Sequence, residues 1–308
     1  MTYSVGGTIQ AADYNGFVGT TAVNLPYASS LAATDKVAAL IGVGYGDRGY
    51  GQTSTTLADV AVSNSVTAVQ WNNLLNAMTT LNTHQGSGLT LQPTVASGGT
   101  ITYQSSIPTN ISTLDTNRLL SNITQMTVSS VLTSSISTAW STTITHSFTV
   151  NFGTEDAARY FFNSGGQIRF SGSNTGSTAA ARDWQHLFHT MGTISMGAYS
   201  TSFTGTGKGY PSYIGYYSLT NSLQQIFIAY PTGYGYGYYT HIYYKIQVSR
   251  SNYVGTNGGN GSQLNCTVTL YDGTAGSVNG TTSSFIDQYK AGGVLTIASP
   301  TYTTTTPL

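Results

Sequence analysis

TEDAARYFFNSGGQIRFSGSNTG, residues 154–176, decides how the second half of the chain is read. Taken as YFFN, SGG and QIRF, it is two strands joined by a glycine hairpin. A second parse uses more of its residues. Thr154 serves as a helix N-cap, Glu155 and Asp156 occupy the first turn where the helix dipole favours anions, and Ala157, Ala158 and Arg159 propagate the helix. Gly165 then ends it, and the strand QIRF follows. The same order recurs in RDWQHLFHTMGTISM, residues 182–196. There Asp183 is the expected N-cap, Trp184, Leu187, Phe188 and Met191 repeat at helical spacing, Gly192 stops the helix, and TISM is the strand. Both stretches read helix, glycine, strand, with Gly165 or Gly166 expected to be left-handed. The charges of the first unit are expected to cap and pin the two short helices on a sandwich.

The surrounding sequence supplies the sheet. In ITHSFTVNF, residues 144–152, Ile144, His146, Phe148, Val150 and Phe152 fall on one face and polar residues on the other, the period of a half-buried strand. QQIFIAY, THIYYKIQV, NCTVTLYD and GVLTIA add strand-like runs between Gly- and Asn-rich turns. The pattern predicts an antiparallel β-sandwich decorated by short helix-glycine-strand units. The tail PTYTTTTPL has little to bury and is expected to be disordered or ordered only by a neighbouring subunit.

The first third has another grammar. In TAVQWNNLLNAMTTLNTHQGSG, Thr67 and Gln70 match a capping box, Trp71, Leu74, Leu75, Met78 and Leu81 form a helical stripe, and the helix should stop near His84, before Gly86. IQAADYN echoes VTAVQWN as a weak internal repeat that pairs Ile9 with Val66, Ala11 with Ala68, Tyr14 with Trp71 and Asn15 with Asn72. Between them GYGDRGYGQ, residues 44–52, has glycines too frequent for a helix and predicts a close-packed turn. NISTLDTNRLLSNI offers one short helix. The fold class is therefore α+β: a helical Gly/Tyr-rich module at 1–95, a linker with a short helix at 96–126, and a β-sandwich at 127–308 that contains a tyrosine-rich segment.

Composition narrows function. Of 308 residues only 6% are charged, against about 25% in ordinary globular chains, and the formal net charge is zero. The sequence pI is about 6.9 and no Lys/Arg run occurs, which sets nucleic acid aside as a partner. No apolar run approaches the roughly 20 residues that span a bilayer, and the N-terminus lacks a basic segment leading into an apolar one, so the chain reads as soluble, with no membrane insertion. Cys266 is the sole cysteine and reads as a small core hydrophobe.

IQAADYN, GYGDRGYGQ, VTAVQWNNLLNAM and HQGSG, together with ARYFFNSGGQIRF, DWQHLF and MGTISM, resemble virion structural proteins of tailed bacteriophages, notably cyanophages, associated with tail fibres or baseplates. The motifs are short and lie in both halves of the chain. A longer segment after DYN and the tyrosine-rich run depart from the pattern. The resemblance implies a non-enzymatic assembly role in a virion, made in the host cytoplasm, with other copies of this chain in a homotrimer and other virion proteins as partners. It supplies no catalytic residue and no cofactor.

The residues agree with that reading but leave two rivals. A polysaccharide depolymerase needs paired carboxylates, and the chain has one glutamate, Glu155, and nine aspartates, most of them among helix or turn signals. His186 and His189 stand i, i+3 on a helix but away from its apolar stripe, and with so few neighbouring carboxylates they predict no metal site. His84 reads as a helix-end residue and His146 as a strand-face residue. The stronger rival is a carbohydrate-binding adhesin. Tyr230, Tyr234, Tyr236, Tyr238, Tyr239 and Tyr243 offer flat apolar faces with polar tips, suited either to a subunit interface or core, or to an exposed loop that stacks on a host surface glycan.

Overall fold

Thr67 opens the longest helix as its spacing predicts. Its hydroxyl accepts the Gln70 N–H at 3.2 Å, the Gln70 side chain accepts the Thr67 N–H at 2.9 Å, and Gly86 at φ 69° closes the far end. The computed structural model describes residues 9–19, 37–52, 57–61, 63–102, 104–231, 241–274 and 276–307. Among them are six helices and two antiparallel sheets, an α+β fold. Helices α1 (Ala11–Val18), α2 (Val37–Ile41), α3 (Ala68–Gln85) and α4 (Ser106–Thr116) form the N-terminal part. Helix α4 starts four residues before the expected Asn110. Pro108 lies in its first turn, where a missing N–H costs no helical hydrogen bond. None of the described helices is long and apolar enough to cross a membrane.

The IQAADYN and VTAVQWN echo has a structural counterpart. Each segment opens a helix, Tyr14 and Trp71 are both buried, and each following asparagine grips one valine of an extended segment by both its N–H and its C=O. Asn15 makes the pair with Val60 at 2.8 and 2.8 Å, and Asn72 with Val95 at 2.8 and 2.9 Å. Asn82 does the same with Leu89, and Gln52 with Thr296. A primary amide carries one donor edge and one acceptor edge, so it stands in for the missing neighbouring strand.

The sheets are β1 (Met126–Ile136), β2 (Thr142–Asn151), β3 (Gln167–Asn174), β4 (Ile194–Met196), β5 (Thr201–Phe203), β6 (Lys208–Pro211), β7 (Gln224–Tyr230), β8 (Ile242–Ser251), β9 (Gln263–Asp272), β10 (Thr282–Ala291) and β11 (Thr301–Thr304). One sheet runs β1-β10-β3-β4-β5 and the other β11-β2-β9-β8-β7-β6. Phe148 faces Cys266 and Cys266 faces Val248, so β2, β9 and β8 share one buried row. Polar pairs join the inner faces: His146 Nδ1 lies 3.0 Å from Ser134 Oγ, and the Tyr302 hydroxyl donates to Gln288 Oε1 at 3.1 Å. This content is consistent with the expected sandwich.

Helix α5 (Glu155–Asn163) leads through Gly165 at φ 79° into β3, and α6 (Ala179–Met191) leads through Gly192 at φ 62° into β4. The helix-glycine-strand parse of both stretches holds, and the hairpin does not form. Gly165, not Gly166, is the left-handed residue. Phe188 of α6 reaches both sheets, lying against Gly172 of β3 and edge-on to Tyr244 of β8 at 5.9 Å.

Three expectations fail for identifiable reasons. The N-cap of α6 is Thr178, whose hydroxyl accepts the Ala181 N–H at 3.2 Å, and Asp183 sits inside the helix because the alanine run before it is helical too. GVLTIA is not a strand. Leu295 and Ile297 are buried, but the backbone is held by side chains: Gln125 accepts from Val294 N–H, Gln52 clasps Thr296, and Lys290 donates to Ile297 O. The tail is ordered by its own chain, with β11 pairing antiparallel to β2.

Candidate functional site

The charged residues of α5 do more than cap it. Thr154 Oγ1 accepts the Ala157 N–H at 3.0 Å, which leaves the adjacent carboxylates free to reach outward. Glu155 is 5% exposed, and it accepts the N–H groups of Val254 at 2.8 Å, Gly261 at 3.0 Å and Thr256 at 2.7 Å. Burial works against its charge, yet these amide donors prevail and hold its carboxyl below its ordinary value. Both carboxylate oxygens are thus bound to the loop backbone. Asp156 accepts from Arg159 Nη1 at 2.6 Å and from Asn257 Nδ2 at 3.0 Å.

Arg159 is fully buried and turns the other way, into GYGDRGYGQ. Its Nε donates to Gly46 O at 3.1 Å, and Nη2 donates to Arg48 O at 2.9 Å and Val43 O at 3.2 Å. One helical turn on, Asn163 Nδ2 donates to the carbonyls of Gly46 and Gly49, both at 3.1 Å. The Tyr217 hydroxyl shares its proton between Gly46 O at 2.6 Å and Asn163 Oδ1 at 2.7 Å. The loop can offer so many carbonyls because Gly44, Gly46, Gly49 and Gly51 all have positive φ.

The far side of that loop is tied to the helices. Asp47 accepts from Arg118 Nη2 at 2.6 Å and from the Tyr199 hydroxyl at 3.0 Å, and Arg48 Nε donates to Asp115 at 2.9 Å. Asp47 is partly buried, which favours its neutral form, but Arg118, Tyr199 and Arg48 together lower its pKa. Tyr50 donates to Arg118 O and accepts from Gln85 Nε2. His84, fully buried, lies with its Nε2 3.1 Å from Ser164 O at the end of α5 and packs edge-on to Tyr50 at 5.2 Å. Burial pushes its imidazole down to about 4, against the opposing pull of the Ser164 carbonyl. Two guanidinium–carboxylate pairs, one buried arginine and one buried glutamate thus converge on a single joint between the helical part and the sheets.

The remaining site residues fall elsewhere. Gly165 and Gly166 stand at the end of α5, where a Cβ would collide with Ser121 at the first and with Phe161 at the second. Tyr243 is half-exposed on the outer face of β8, stacked on Tyr271 of β9 at 5.0 Å with an interplanar angle of 19°. Tyr230 ends β7 and meets Tyr210 edge-on at 6.0 Å. Tyr234, Tyr236, Tyr238 and Tyr239 lie outside the described residues. The structure does not bring Tyr230 and Tyr243 into the joint.

Sequence reasoning missed the loop Asn252–Gly261. Its Gly and Asn content marks a turn, but the residue that fixes it is the sole glutamate, about a hundred positions away. No family model, no curated protein and no solved structure matches the chain.

Proposed function

We propose that the chain is a non-enzymatic structural subunit of a tailed-phage virion, in a tail fibre or baseplate. One observation carries the reading. Three of the short motifs behind the resemblance are dispersed in sequence but meet at one joint: ARYFFN supplies Arg159 and Asn163, GYGDRGYGQ supplies carbonyls they hold, and HQGSG supplies His84 and Gln85, which reach Ser164 and Tyr50. Motifs that together build one joint support a shared architecture better than scattered matches do. With the reading come self-association as a homotrimer, other virion proteins as neighbours, and a place on the particle surface. The test is purification of the particles: the chain should co-purify at fixed stoichiometry and its fold should fit whole-particle density, while absence from washed particles would overturn the assignment.

A second reading, a carbohydrate-binding adhesin of the same particle, is favoured by the exposed Tyr253 on the loop that Glu155 holds and by Arg250 of β8, whose guanidinium stacks on it.

A further inference from the structure

We propose that the loop Asn252–Gly261 and the end of β8 beside it form a binding surface for carboxylate-bearing polysaccharide, with Arg250 taking the carboxylate and Tyr253 the sugar ring. The inference rests on the adhesin reading and is independent of where in a particle the chain sits.

The loop is built to be rigid. Asn252, Gly255, Asn257, Gly258 and Gly261 all have positive φ, from 48° to 91°, five of ten residues in a conformation that L side chains avoid. Three of the five are glycines, which take this conformation without strain, so the shape is fixed by the bonds that hold the loop. Here Glu155 supplies three hydrogen bonds, and Asp156 holds Asn257.

What the rigid loop presents is neither core nor solvated polar surface. Tyr253 is 51% exposed and Val254 80% exposed, although the Val254 N–H is pinned to Glu155. The Arg250 guanidinium carbon lies 3.7 Å from the Tyr253 ring centroid, and its Nε donates to Asn221 Oδ1 at 3.2 Å. Among the described residues, Arg250 Nη1 and Nη2 meet no carboxylate. A flat guanidinium with two open donors offers bidentate capture of a carboxylate, and a tyrosine with one face covered by arginine keeps the other for stacking on a sugar ring. Arg250 N–H donates to Thr220 O at 2.9 Å, which fixes the strand end that carries the guanidinium.

Charge selects the ligand. Between Asp183 and Asp272 the sequence has no acidic residue, while Lys208, Lys245 and Arg250 give this stretch a net charge of +3. Of the acids packed nearest, Asp156 is paired with Arg159 at 2.6 Å, while Glu155 keeps its charge beneath the loop, solvated by the amides of Val254, Thr256 and Gly261. Attraction for an anionic chain at this surface rests on Arg250, which has no carboxylate partner among the described residues.

The experiment is calorimetric titration of the purified full chain with polygalacturonate, alginate and 3′-sialyllactose, against neutral dextran and dextran sulfate. At least one carboxylated probe should bind tenfold or more tightly than dextran. Arg250→Gln and Tyr253→Ala should each weaken that binding about tenfold or more with unchanged melting temperature, and Arg182→Gln should leave it unaltered. Absence of binding to every carboxylated probe overturns the proposal. So does binding that survives both variants, or that dextran sulfate matches through bulk charge. Particle co-purification is a separate measurement, so a failure here leaves the structural-subunit reading standing.

Discussion

The two helix-glycine-strand units share one local grammar and serve opposite ends. Helix α6 buries Trp184, Leu187, Phe188 and Met191 against the sheets, and its Arg182 donates only to the exposed Ser177 carbonyl nearby. Helix α5 also buries aromatics, but Glu155, Asp156 and Arg159 leave the helix altogether and hold two loops that lie 100 residues or so away in either direction. In a chain with 6% charge, ionic groups are concentrated where irregular backbone must be fixed. A cap acts within one turn. A buried charge can organise loops that have no strand or helix of their own.

The largest test of that contrast compares the two arginines. Arg159→Met removes four hydrogen bonds, leaves Asp156 without its cation and takes the side-chain donor from the Val43 and Arg48 carbonyls, and should cost about 3–5 kcal/mol in denaturant unfolding. Arg182→Met, on the solvent side of α6, should stay within about 0.5 kcal/mol. Similar losses for the two variants would erase the distinction between the units.

The next effect is acid. Burial pushes the imidazoles of His84 and His146 from 6.5 down to about 4. The unfolded chain takes up these protons first, so the associated stability is complete above pH 6.5 and is lost as pH falls toward 4, about 2 kcal/mol per histidine at pH 5. Glu155 adds its own loss below its ordinary value of 4.5, because its folded pKa is depressed. Unfolding measured at pH 7 and pH 5 should show the drop, and His84→Gln should roughly halve the slope. A flat profile would mean that both rings are solvated.

Smaller effects sharpen the local grammar. Gly165→Val places a side chain at φ 79° against Ser121 and should cost on the order of 1–2 kcal/mol or more by thermal melting. Thr154→Ala and Thr178→Ala each remove one cap and should cost about 1 kcal/mol, alike in both units. Unequal cap losses would show that Thr154 is also part of the joint.

These cases mark how far the sequence could be read. The Thr67–Gln70 box, the alternation at 144–152 and the stops at Gly165 and Gly192 are local signals, and they appear as expected. GVLTIA carries the same alternation, yet its partners are amide and ammonium side chains from distant positions, which periodicity does not register. β1 and β10 are rich in Ser and Thr, so their inward row, with Ser134, Ser284 and Gln288 buried, hides the period of two. The joint is the least legible part. Arg159 reads as a helix former, and its acceptors at Val43, Gly46 and Arg48 are backbone carbonyls with no sequence signature.

Hydrogen exchange at the amides of Val254, Thr256 and Gly261 tests the joint most directly. These residues belong to a surface loop, with Val254 80% exposed, and a loop held only by its own turns would exchange its amides at near-coil rates. Bonded to the buried Glu155, the three amides should be strongly protected, and Arg159→Met should release them together with the Gly46 amide, which donates to Asn257 O. Fast exchange of these amides in the wild-type chain, or changes on Arg159→Met confined to α5, would contradict a charge-built joint.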